Sequence, residues 1–141
     1  MFNFSLEVEN AKIVRRGLEN LAADMPLVGR LQVYRAAQDI IRIMKKYPPE
    51  PAGSVYERTY QFQQSWLLQR TIAGYNISAN PVDMFGNPYA GYVVGDETGG
   101  GQVSAHAGRW PKFVEVVNTR ISRLPSEIEL ELKARIAVYG L

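Results

Sequence analysis

Phe2, Phe4, Leu6 and Val8 alternate with Asn3, Ser5, Glu7 and Glu9, and this period of two predicts a short strand with one apolar face. From Asn10, a candidate N-cap, the apolar positions become Ile13, Val14, Leu18 and Leu21 and follow a period near 3.6. They predict a helix over residues 11–24 that stops before Pro26. Leu27, Leu31, Tyr34, Ile41 and Met44 make a second apolar stripe, with Arg35, Asp39, Arg42 and Lys46 spaced for ion pairs on the other side. The expectation is a second helix from about 27 to 46.

Tyr47-Pro48-Pro49-Glu50-Pro51-Ala52-Gly53 cannot continue a helix, because its three prolines lack the backbone donor and hold their neighbours extended. Residues 54–95 are rich in β-branched and aromatic residues and broken by Gly74, Asn80-Pro81 and Gly86-Asn87-Pro88, which predicts antiparallel strands joined by turns. Phe62, Trp66 and Leu68 would share one sheet face, opposite Gln61, Gln63 and Ser65. Ile72–Ser78 and Tyr89–Val94 are further strand candidates.

Residues 96–108 carry no periodicity and hold three consecutive glycines, so a mobile loop is expected there. Pro111 suits the first position of a helix whose stripe is Phe113, Val114, Val117, Ile121 and Leu124. Ser126 and Glu129 fit a capping box opening a last helix, although Glu127–Leu132 also alternates strictly and a strand over 126–139 stays open. The elements together predict one α+β domain over 1–141. It has a small, mostly antiparallel sheet of three or four strands with helices packed on one side, two of them N-terminal and one or two C-terminal.

Composition narrows the chemistry. The net charge is +2, with residues 1–50 at +2, 51–100 at −2 and 101–141 at +2, so no polybasic tail marks a nucleic-acid or membrane binder. Zero cysteines remove disulfides and thiolate chemistry, and a single histidine, His106, rules out a multi-histidine metal centre within one chain. No basic-then-apolar leader opens the sequence and no run of roughly 18 apolar residues occurs, so the expectation is a cytoplasmic product with no membrane partner.

Three constellations offer chemistry. Gly99-Gly100-Gly101 could cradle a phosphate, but no GK[ST] follows it and a flexible loop is the plainer reading. His106 with Asp96, Glu97 and Ser104 could be written as a hydrolase set, against which stands a solvated polar loop. Arg30, Arg35, Arg42, Lys45 and Lys46 would give the second helix a basic face for nucleic acid, or an ordinary solvated face interrupted by Asp39. No cofactor is implied. The aromatics Tyr56, Tyr60, Phe62, Trp66, Tyr75, Tyr89 and Tyr92 read first as sheet core and edge, though several tyrosines beyond core needs would suit a subunit interface.

The order of parts resembles the neck or tail-completion proteins of long-tailed bacteriophages, also described as minor tail or head–tail joining proteins. Four stretches carry the resemblance: the proline passage Tyr47–Ser54; Tyr56-Glu57-Arg58-Thr59 followed by Gln64-Ser65-Trp66; Asn87–Gly95; and His106-Ala107-Gly108-Arg109-Trp110 before a helix. The second is similar to the family's "threonine-glycine-x-leucine-x-x-serine-tryptophan", with Tyr60 where the family usually has glycine. The third is similar to its "tyrosine-alanine-x-tyrosine-valine-x-x-glycine", and the fourth to its "histidine-x-glycine-arginine-tryptophan". The resemblance implies a non-enzymatic virion protein made in the host bacterial cytoplasm. It would form a homo-oligomeric ring, six-fold by analogy, between connector or head-completion proteins and the tail tube or tail terminator. DNA would pass through the lumen without sequence-specific contact. Tyr89, Tyr92, His106, Arg109 and Trp110 are the interface candidates on this reading, with Trp110 anchoring the loop's return and Arg109 pairing within or across subunits. The other reading is a small nucleic-acid-associated module using the basic face of the second helix; a hydrolase using His106 comes third.

Overall fold

A computed structural model describes residues 6–53 and 60–141, with side chains from residue 11 onward. The chain is α+β, and helices dominate. In order come α1 (Leu6–Met44), α2 (Gln61–Gln64), β1 (Trp66–Arg70), β2 (Tyr75–Ala79), α3 (Ala90–Val94), α4 (Phe113–Ile121) and α5 (Leu124–Val138). Contacts divide the chain into two compact units. One runs through Val33 and takes in Arg123–Leu141; the other is Tyr34–Ser122.

Several expectations are corrected. The N-terminal strand fails over Leu6–Val8, which open α1, while residues 2–5 lie outside the described residues. The two expected helices are one, because α1 continues through Pro26. A proline in a helix interior forfeits the bond to the carbonyl four residues back and costs about 3 kcal/mol, which packing on both sides of it must offset. The buried row of α1 is Val28, Gln32, Ala36, Ile40 and Met44, each four residues from the last. Leu27 and Leu31 of the expected stripe are exposed. Hydropathy missed this row because its middle is a glutamine and an alanine.

Among the described residues the sheet has two strands, with Trp66 paired to Ala79 and Arg70 to Tyr75 in antiparallel register. Phe62 sits on α2, not on a strand, and Tyr89–Val94 forms the N-cap and body of α3. Aromatic and β-branched residues favour strands only through the surface they pack on, and here that surface is a side-chain cluster. Residues 96–108 hold no helix or strand, as expected. Pro111 does not open α4, which starts at Phe113 with Lys112 as its N-cap, and α5 is a helix that starts at Leu124, with Pro125 in its first turn and Ser126 already inside.

In the first unit α1 and α5 run antiparallel, since Asp24 meets Arg135 while Gly17, seven residues earlier, faces Leu141. Arg135 donates Nη1–H to Asp24 Oδ2 at 2.7 Å, and the Tyr139 hydroxyl donates to the same oxygen. The Tyr139 hydrogen bond first, and then Arg135, hold the Asp24 carboxyl below its ordinary range. The contribution of this anchor is therefore complete above the ordinary carboxylate pKa of about 3.9 and is lost as pH falls through the lower folded value. Asp24→Asn should loosen α5 at neutral pH, read as faster amide exchange in α5, and should flatten the acid dependence of that exchange. Unchanged exchange in the variant would show the anchor to be idle.

Candidate interaction site

The second unit is organised on rings. Phe62 lies edge-on to Trp66 (centroids 5.5 Å apart) and to Trp110 (5.6 Å), and tilts against Tyr89 (6.4 Å). Trp110 meets Tyr47 at 5.0 Å, and Tyr47 in turn stacks on Tyr60 at 5.1 Å. Edge-to-face geometry sets the positive ring edge on the negative face, and each such pair adds about 0.5–1.5 kcal/mol beyond burial. Ile40, Met44, Val93 and Val94 close the cluster.

A glutamine ties the following loop to this cluster. The Gln102 side-chain amide donates to the Val93 carbonyl at 2.9 Å and to the Trp110 carbonyl at 3.0 Å. Backbone bonds complete the return: Val103 N–H donates to Tyr92 O, and Arg109 and Trp110 N–H groups both donate to His106 O. At the loop's start Asp96 Oδ1 accepts from the N–H groups of Thr98 and Gly100 and from the Thr98 hydroxyl. The Thr98 hydroxyl first, then these amides, lower the Asp96 pKa. Of the three glycine amides a phosphate nest would use, Gly100 N–H is thus aimed at the Asp96 carboxylate and Gly99 N–H at the Asp96 backbone carbonyl. Gly95 is required here: its φ is +79°, and a Cβ would stand 3.0 Å from the Gly100 carbonyl oxygen.

The five interface candidates separate. Tyr89, the N-cap of α3, is half-buried against Phe62, and Trp110 is half-buried in the ring cluster, so both hold the fold. Tyr92 is 59% exposed. Arg109 is exposed and reaches the Pro49 carbonyl at 3.5 Å, tying its loop to the proline passage within one chain. His106 is partly buried, edge-on to Trp110 at 6.3 Å, with Nδ1 shielded from solvent and without a hydrogen-bond partner among the described residues. Burial first, then the charge of Arg109, push its pKa below 6.5. No hydrogen bond among the described residues joins His106 to Asp96, Glu97 or Ser104. The sequence reading also missed Arg120, which is buried and donates Nε–H to Asp39 at 2.9 Å across 81 residues. Asp39 serves Arg42 as well, at 2.6 Å. Of these, only the Asp39–Arg42 spacing was visible in advance.

Among the described residues no group of three or more His, Asp or Glu could hold a metal ion, and no helix is long and apolar enough to cross a membrane. No family model matches the chain, and no curated protein or solved structure matches it.

Trp66→Ala should cost about 3–5 kcal/mol, because it removes a buried indole packed against Phe62 and Phe113. Gln102→Ala strands two carbonyls and should cost about 1–3 kcal/mol, with residues 96–110 becoming the first site of proteolysis. Chemical denaturation and limited proteolysis separate the two; a Gln102→Ala loop as resistant as wild type would refute the tie.

His106 is the single histidine, so its NMR titration is unambiguous. Its midpoint should fall below 6.5, and because the unfolded chain then binds the proton more readily, stability should decline as pH drops from 6.5 toward that midpoint. A midpoint above 6.5 would contradict the burial described.

Proposed function

We propose that this chain is a structural virion protein of a tailed phage or prophage. It forms a ring in the head–tail neck or tail-completion region around the DNA passage, between the connector or head-completion proteins and the tail tube or terminator. Its role is mechanical, and its chemistry is that of contact.

The observation that carries the reading is Tyr60. In the resembling family glycine usually stands at this position, and Tyr60 is the one non-glycine residue with positive φ among the described residues, at +57°. That left-handed conformation costs an L-residue roughly 1–2 kcal/mol and favours glycine. A backbone demand at the very position where the motif has glycine is independent of the side-chain wording on which the resemblance was drawn. Further support comes from Gln102. Its amide links Val93, inside the Asn87–Gly95 stretch, to Trp110, which ends the His106–Trp110 stretch, so the two most characteristic stretches form one local structure.

Immunogold labelling of virions from a producing lysogen, with a strain deleted for the gene, tests the proposal. Label at the head–tail junction, with filled heads and unjoined tails in the deletion strain, is the expected outcome. Virions that lack the chain and join normally without it would overturn the proposal.

A further inference from the structure

The 38 residues from Thr71 to Gly108 contain no lysine or arginine, and carry Asp83, Asp96 and Glu97. Within this acidic stretch lies a turn built to present two apolar side chains. Val82 bridges to Pro88 at its stem. Asp83 Oδ1 accepts the N–H groups of Phe85 (2.8 Å) and Asn87 (2.9 Å), and Oδ2 accepts from the Asn87 side-chain amide at 3.2 Å. The Asn87 backbone bond is the largest of the effects that lower the Asp83 pKa. At the tip, Met84 is 89% and Phe85 81% exposed. A turn whose backbone is already fixed spends little backbone entropy on docking, and its two apolar side chains gain only if something covers them.

The same unit carries a surface of the opposite character. Arg35 and Arg42 are exposed and seven residues apart on α1, hence on one side of the helix, and Lys46 follows just past its end. Asp39 is shared between Arg42 and Arg120, so the local excess stays positive. Beside Arg35, Tyr34 tilts against Tyr75 at 5.3 Å, offering aromatic surface.

We infer that the Met84–Phe85 turn of one copy docks on the Arg35–Arg42 side of α1 in a second copy. Phe85 lies over an arginine and Met84 against the Tyr34–Tyr75 rings, while Asp83, at the base of the same turn, brings negative charge to the basic side. Cation–π and sulfur–aromatic contacts are the chemistry that joins such a tip to such a surface. The charge complementarity selects a second copy as occupant; a nucleic acid or an anionic membrane would be repelled by the acidic stretch. Because two different patches meet, the contact is head-to-tail, the kind that closes into rings. The inference deepens the ring reading proposed above and rests on it.

Sedimentation velocity of the purified full chain tests it with two variants: Met84→Ser/Phe85→Ser, which leaves every hydrogen bond of the turn in place, and Arg35→Glu/Lys46→Glu. Wild-type self-association should weaken as salt rises, and each variant should associate at least about tenfold more weakly than wild type. A one-to-one mixture of the two variants should form dimers and nothing larger, because one intact tip still finds one intact basic side. Wild type that stays monomeric to millimolar concentration, or variants that assemble as wild type does, would overturn the contact. The two readings fail separately. Virions that contain the chain while both variants still self-associate leave the neck role standing without this contact, and association lost in both variants of a chain absent from virions does the reverse.

Discussion

Phe62 stands edge-on between Trp66 and Trp110, and the second unit depends on that arrangement because little else there is regular. A two-stranded hairpin and helices of four and five residues cannot stand alone; each is below the length at which backbone bonds offset the entropy of ordering. What they share is one set of rings. β1 contributes Trp66, α2 contributes Phe62, the residue capping α3 contributes Tyr89, and α1 closes the cluster with Ile40 and Met44. Remove the rings and the short elements lose their common wall.

Polar groups then fix what the rings leave free. Gln102 binds two carbonyls that no helix or strand would satisfy, and Asp96 and Asp83 each fold a turn around one carboxylate. Such bonds stabilise modestly when made and cost more when one partner is lost, so they serve to specify a conformation. A loop that composition alone reads as loose is thereby held at both ends. Glycine is needed at Gly95 for close approach and is missing at Tyr60, where the backbone would favour it.

Much of this was legible in the chain and some was not. The helical character of residues 27–44 and of the segment after Trp110 follows from local periodicity, and the proline passage interrupts it where expected, whereas the chain's end stayed open between helix and strand until the fold made it α5. The interface candidates Tyr89, His106 and Trp110 fall into a single neighbourhood, although Tyr89 and Trp110 serve the core. Arg120 with Asp39, and Arg135 and Tyr139 with Asp24, were invisible, because partners 81 to 115 residues apart leave no pattern in a window of one or two turns.

The sequence by itself determined the helical character of residues 11–24, 27–44 and 113–121, the break at the proline passage 47–53, the absence of thiol chemistry and the acidic stretch between Arg70 and Arg109, since each is a property of composition or of neighbours along the chain. Only the tertiary structure decided that α1 passes through Pro26, that its buried row runs through Gln32 and Ala36, and that Tyr89–Val94 turns into a helix. Proline's local penalty and the strand preference of aromatic residues are each worth a few kcal/mol at most, and packing outweighs them wherever several side chains find a common surface.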